Sequence, residues 1–167
     1  MLIAESLQSV PHADVDDYFW LPTSPPYVHK RPVKDRLALM NALFAPRDSW
    51  ILSGTLRGWG DEIIEKVDGA VFLTLDPRTR MDRLMKREVL RYGDTIQCGG
   101  INEAAHPDFL DWARGYDDVA FAGHSRAEDE RWLAGLRCPV LRLNSVEPVA
   151  ELAAAVLPVR KSVSEYR

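Results

Sequence analysis

Cysteine is scarce in this chain. Cys98 and Cys138 are two residues among 167, too few for a disulfide framework or a zinc cage, and they read as buried or idle thiols. The four histidines, His12, His29, His106 and His124, show no ligand spacing. No apolar run approaches the roughly 20 residues that span a bilayer, and no basic stretch followed by an apolar one opens the chain. Both lead to the expectation of a cytoplasmic protein with no membrane partner. Charge of neither sign dominates: 21 Lys and Arg against 25 Asp and Glu leave a formal net charge of -4. That offers no field for nucleic acid, so a small-molecule or protein partner is expected. Repeats and low-complexity tracts are also missing, and the length suits one domain, expected over residues 1–158 with a polar, frayed tail over 159–167. Composition leaves the oligomeric state open.

What is present begins with Pro11-His12-Ala13-Asp14-Val15-Asp16-Asp17-Tyr18-Phe19-Trp20. Three carboxylates this close repel one another, and a soluble fold tolerates them where water, a cation or cationic side chains neutralise the cluster. Two readings follow: a metal- or hydroxyl-binding site, or a solvated turn with an Asp N-cap. Before it, apolar residues at 2, 3, 7 and 10 have helical spacing, and residues 12–15 can form a short strand that carries the cluster at its end.

Four prolines in residues 21–32 forbid a helix there. Residues 33–44 are helical by the spacing of Val33, Leu37, Met40 and Phe44, with Lys30, Arg31, Lys34 and Arg36 at the start, where positive charge opposes the helix dipole and hints at an anionic ligand. Residues 49–53 read as a buried strand that breaks into Gly54-Thr55-Leu56-Arg57-Gly58-Trp59-Gly60-Asp61, a stretch permitting close backbone approach. A helix follows near residues 61–66. Residues 67–75 form the clearest strand, apolar enough at 70–73 to be covered on both faces, as in a parallel sheet.

Asp76-Pro77 then supplies a cap and a first-turn proline. The helix over residues 77–92 puts Arg80, Arg83, Arg87 and Arg91 on one face, either a solvated stripe or a phosphate grip, with Met81, Leu84 and Met85 beside it as the buried side. Two more helices, 107–116 and 126–136, have Phe109, Leu110 and Trp112, then Trp132, Leu133 and Leu136, as core sides. A last strand over 139–143, the pair Asn144-Ser145 and a helix over 148–156 complete the pattern.

Strands alternate with helices and no hairpin signal intervenes, the pattern of a doubly wound α/β domain with a parallel sheet and helices on both faces. Ligands of such sheets bind outside the carboxyl ends of the strands, where the Asp cluster, the 54–60 loop and Asn144 belong.

The order of Asp-x-Asp-Asp-Tyr-Phe-Trp, a Pro-rich loop, Trp-Ile-Leu-Ser-Gly with Gly-Trp-Gly-Asp, Arg-x-x-Arg-Leu-x-x-Arg-Glu-x-x-Arg-Tyr-Gly and Cys-Pro-Val-Leu-Arg-Leu resembles the small bacterial P-loop kinases related to adenylate kinase. The resemblance spans residues 2–156 and implies ATP-dependent phosphoryl transfer to a small acceptor such as a nucleoside or nucleotide, with ATP and magnesium as cofactors. It implies that Asp14 holds a magnesium-linked water and Asp16 the acceptor hydroxyl. Asp17, Arg36, Gly54, Arg57 and Gly58 would bind the acceptor, and Ser53 stands where many relatives have a Walker B aspartate. Arg83, Arg87 and Arg91 would be catalytic arginines of a lid over residues 77–105, with Arg83 also on the cofactor. Asn144 and Ser145 would border the adenine.

One departure is large. The family's first strand runs into G-x-x-x-x-G-K-S/T, whose amides and lysine cradle the ATP phosphates. Here the first glycine is Gly54, and no Gly-Lys dipeptide occurs. About 15 to 20 residues of strand, loop and helical turn lack a counterpart, so the chain as given is expected to be inactive. The lost strand belongs in the middle of the family's sheet. Its neighbours must therefore close up or leave unpaired edges. Two expectations remain: a kinase whose phosphate loop lies upstream of this sequence, and a non-catalytic protein that binds an acidic ligand or a partner chain.

Overall fold

A computed structural model describes residues 10–24 and 26–164; the expected helical stretch at residues 2–9 lies outside them. The chain divides into two compact units, Met1–Phe72 with Leu136–Arg167, and Leu73–Gly135. The described residues form an α/β protein with seven α-helices and two short two-stranded parallel sheets. None of those helices is long and apolar enough to cross a membrane.

In the first unit, β1 (His12–Asp14) pairs in parallel with β2 (Ile51–Ser53), setting His12 opposite Ile51, Ala13 opposite Leu52 and Asp14 opposite Ser53. Asp14 ends the strand because its carboxylate accepts the Asp16 amide at 3.0 Å and caps α1 (Val15–Phe19). The Pro-rich loop folds back onto this turn, with the Arg31 amide donating to Phe19 O and the Leu21 amide to His29 O, both at 2.8 Å. Pro32 then starts α2 (Val33–Leu43), which turns Arg36 and Met40 inward. Phe44, Met40 and Ile63 are fully buried, each contributing about 1.5–3 kcal/mol by leaving water. Tyr18 and Trp50 flank Phe44 at centroid distances of 6.3 and 5.4 Å. Leu56, α3 (Asp61–Ile64) and the buried Leu152 and Ala153 of α7 (Val149–Ser164) complete this unit's core.

The second sheet pairs β3 (Ala70–Thr74) with β4 (Val140–Asn144), entered where the Ala70 amide donates to Pro139 O at 2.9 Å. Among the described strands no pairing joins β2 to β3, so the expected single sheet is two separate ribbons. The strand expected to be covered on both faces is covered on one. Val71 and Leu73 remain 41% and 45% exposed, because alternate residues of a strand point to opposite faces and no described element covers theirs. The last helix also runs past its expected end at residue 156, through Pro158, to Ser164.

The second unit holds α4 (Pro77–Tyr92), α5 (Ala105–Arg114) and α6 (Arg126–Ala134), with short 3-10 turns at Gly93–Ile96 and Gly115–Asp117. Asp76 caps α4 by accepting the Thr79 amide at 2.9 Å, with Pro77 in the first turn, and Ser125 caps α6. This unit is held together largely by polar contacts. Arg80 donates to Ala113 O at 2.8 Å and to Asp117 at 2.9 Å, while Arg126 donates to Asp117 at 2.7 Å and to Leu75 O at 3.1 Å. A second cluster joins Tyr116 and His124 to the buried Asp129, each at 2.8 Å. Trp112, expected in the core, is 47% exposed, and its ring stacks on Phe109 at 6.2 Å. Met85, expected on the buried side of α4, is also exposed.

Candidate functional site

The pairing of β1 with β2 brings Ser53 against His12 and Asp14, 41 and 39 residues earlier in the chain. Ser53 Oγ donates to Asp14 Oδ2 at 3.2 Å, and His12 Nε2 lies 3.1 Å from the same hydroxyl. A serine hydroxyl has one proton to give, so with that proton on Asp14, His12 donates to Ser53. The Asp14 carboxylate is thus fixed by the Ser53 hydroxyl on one oxygen and the Asp16 amide on the other. Each oxygen keeps a lone pair for a further donor. Asp16 receives the Trp20 indole N–H at 3.3 Å, and both it and Asp17 are exposed at the rim.

Gly54 follows at φ +102, so close to α1 that a Cβ there would stand 2.8 Å from Val15 Cβ. Only glycine allows this approach. Gly58 has φ +79 with open space around it, and the Arg57 amide donates to Thr55 Oγ1 at 3.2 Å. Arg36 is 6% exposed. Its guanidinium sits in the corner between the Phe19 and Trp59 rings, 3.8 and 5.1 Å from their centroids, and its Nε donates to Arg31 O at 2.7 Å. Burial and the neighbouring Arg31 guanidinium both lower its pKa. Burial also raises that of Tyr18, against the pull of Arg47.

The remaining expected residues lie elsewhere. Asn144 ends β4 and accepts the Val146 amide at 3.1 Å in a turn that includes Ser145. Arg83, Arg87 and Arg91 belong to α4 in the second unit, all three exposed, with Arg87 3.6 Å from the buried Glu88. Arg80, read from spacing as part of their stripe, is instead held among α5 and the Gly115–Asp117 turn. Among the described residues no group of three or more His, Cys, Asp or Glu could hold a metal ion directly.

No family model matches the chain, and no solved structure matches it. The uncharacterized protein YqaC of Bacillus subtilis (strain 168) is 37% identical over 146 residues, 87% of this chain and 80% of that protein. The chain belongs to the YqaC family.

In this YqaC-family chain, the sequence singles out the Asp cluster, the glycine turn and Arg36 but not four of their partners. His12 was set aside for want of ligand spacing, Phe19 and Trp59 are ordinary aromatics until Arg36 folds against them, and Arg31 was one basic residue among four. The basic cluster ahead of α2 was the available signal for Arg31. Nothing local marks the others.

Proposed function

We propose that the family's activity is ATP-dependent phosphoryl transfer to a hydroxyl of a small-molecule acceptor, on a doubly wound sheet like that of the P-loop kinases related to adenylate kinase. The observation that carries this reading is the Asp14 carboxylate, held by Ser53 and the Asp16 amide at the carboxyl ends of two parallel strands beside the Gly54 turn. Ligands of α/β sheets bind at that edge. The strand pairing lends support. In the resembled fold the phosphate-loop strand lies mid-sheet, and the ribbons β1-β2 and β3-β4 have the pairings such a sheet keeps when that strand is left out.

In this reading Asp16, exposed at the rim, accepts the proton of the acceptor hydroxyl. Asp17, Arg36, Gly54, Arg57 and Gly58 bind the acceptor, and Arg83, Arg87 and Arg91 neutralise charge on the transferred group. Asn144 and Ser145 border the base of the nucleotide. Asp14 suits magnesium through an intervening water better than by direct coordination, since both its oxygens already accept hydrogen bonds. The bound ion would supply charge neutralisation on the donor phosphates. No Gly-Lys pair exists here to cradle those phosphates, so this reading requires a cradle that these residues do not supply.

The test is an ADP-release screen, across an acceptor panel, of a natural form carrying a strand and Gly-rich Lys-Ser/Thr loop upstream. Asp16→Asn and Arg87→Ala are each expected to lower turnover at least about a hundredfold with thermal stability little changed. Unaltered turnover in both rejects the site assignment. The second reading, a non-catalytic binder of an acidic ligand or partner chain, is favoured by the missing Gly-Lys pair. It prevails if the DNA before Met1 encodes no such strand and loop in frame.

A further inference from the structure

Tyr116, His124 and Asp129 form a cluster in the second unit for which the transfer reaction has no use. Asp129 lies in the first turn of α6, where its amide donates to Ser125 O at 3.0 Å, and the residue is only 9% exposed. His124 stands just before the α6 cap, with Nε2 2.8 Å from each Asp129 oxygen. A carboxylate only accepts hydrogen bonds, so Nε2 carries the proton. The Tyr116 hydroxyl donates to Asp129 Oδ2 at 2.8 Å and holds the carboxylate from the other side. With Nε2 protonated, the lone pair of the neutral ring is fixed on Nδ1. That nitrogen has no partner among the described residues, and it is open to solvent on a side chain that is 30% exposed.

An ordinary surface imidazole divides its proton between two tautomers. Here one tautomer is selected, and the ring is flanked by Trp112 and Tyr116 at centroid distances of 6.3 and 5.6 Å. A shielded carboxylate on Nε2–H raises the basicity of Nδ1 and offsets the positive charge that the ring gains when Nδ1 forms a bond. A nucleophile oriented by a third group is the arrangement of covalent catalysis. The neighbouring charge selects the electrophile. Arg80 and Arg126 share the single Asp117 carboxylate at 2.9 and 2.7 Å, which leaves that network one positive charge in excess. The Arg80 guanidinium lies 5.0 Å from the centroid of the same Tyr116 ring that flanks His124. Positive charge in excess draws an anionic electrophile. Because Nδ1 opens to solvent, a small one reaches it without a preformed pocket.

We propose that His124 is a phosphoryl-acceptor site, modified at Nδ1 by a small acyl phosphate. The Nδ1 lone pair forms the N–P bond as the P–O bond to the acyl group breaks, and the carboxylate leaves with the bonding pair. Nε2 keeps its proton, and the new positive charge on the ring faces Asp129. His124 is the nucleophile and Asp129 a positioning residue. The site does not rest on the transferase reading.

Acetyl phosphate is the probe, incubated with the full chain and followed by mass spectrometry of peptides kept alkaline, which preserves phosphohistidine. In the folded chain His124 is expected to be phosphorylated at least about tenfold faster than the exposed His29, and in urea the two should react alike. His124→Gln should abolish the fast reaction. Asp129→Asn, which keeps the shape and loses the charge, is expected to slow it at least about tenfold. Long-range proton–nitrogen spectra should then show mixed tautomers of His124 in place of the single Nε2–H form, a change that a purely structural role for Asp129 does not produce. Should Asp129→Asn fail to fold by circular dichroism, His124 against His29 in the folded and urea-unfolded wild-type chain decides. The site is overturned if His124 reacts no faster than His29 in the folded chain, if its advantage persists in urea, or if folded Asp129→Asn reacts like wild type. An acetyl adduct in place of a phosphoryl one, from attack at carbon, also overturns it.

Discussion

Gly54 and Gly58 bracket the same loop and differ in why they are glycine. At Gly54 both the backbone and the space exclude a side chain, with φ +102 and a would-be Cβ 2.8 Å from Val15 Cβ. At Gly58 only the backbone does, since φ is +79 and nothing stands within 4 Å. Gly54→Ala is therefore expected to cost about 3 kcal/mol, strain and clash together, and Gly58→Ala about 1 kcal/mol. Urea midpoints of the two variants check this, and equal shifts would contradict the clash. Ser53 is the other single residue with a sharp consequence. Ser53→Ala removes the hydroxyl joining His12 to Asp14 and should cost about 1 kcal/mol.

Among the elements, the second unit relies on partnered charge where the first relies on Phe44, Met40 and Ile63. Asp117 accepts from both Arg80 and Arg126, all three largely shielded from water. Asp117→Ala leaves two guanidinium groups facing each other and is expected to destabilise by about 2–4 kcal/mol. Asp111→Ala, which breaks the exposed Asp111–Arg114 pair of α5, should change stability by less than about 0.5 kcal/mol. Denaturant titration of both variants distinguishes them.

Tyr116 adds a pH dependence. Burial, then its hydrogen bond to Asp129, raises its pKa above the ordinary 10.0. A raised value means the folded state holds the proton more tightly, so this stabilisation is complete below pH 10.0 and is lost as pH rises from there toward the folded value. Tyr116→Phe should flatten the alkaline fall in melting temperature. An unchanged slope would mean that Tyr116 takes no part in it. Asp76 runs the other way: its bonds to Thr79 lower its pKa, so its support of α4 persists above 3.8 and fails as pH drops through the lower folded value.

For the molecule as a whole the governing facts are two separate two-stranded sheets among the described residues and a sequence without a Gly-Lys pair. Phosphate cradles are built from consecutive backbone amides closing on a lysine, and isolated arginines on a helix do not replace them. The chain as given is therefore expected to show weak or no ATP binding in calorimetry and no measurable phosphoryl transfer. A micromolar affinity for ATP would refute this and mean that another nucleotide site exists.

Short-range chemistry was legible in the residues alone. The alternation of strands and helices follows from apolar period, the start of α4 from Asp76-Pro77, and the Asp cluster's place at a strand end from the capping habit of Asp14. These depend on neighbours a few positions away, and a chain displays those directly. Pairings across long stretches were decided only on folding. Asp14 meets Ser53, 39 residues on, because β1 and β2 align in one parallel register among several that their sequences permit. Arg80 leaves the stripe of Arg83, Arg87 and Arg91 because helical spacing defines a face and says nothing of what packs on it, here Ala113 O and Asp117. Arg36 lies against Phe19 and Trp59 for the same reason: its charge was visible in the chain, but its burial without a counter-ion exists only once three separate segments close around it.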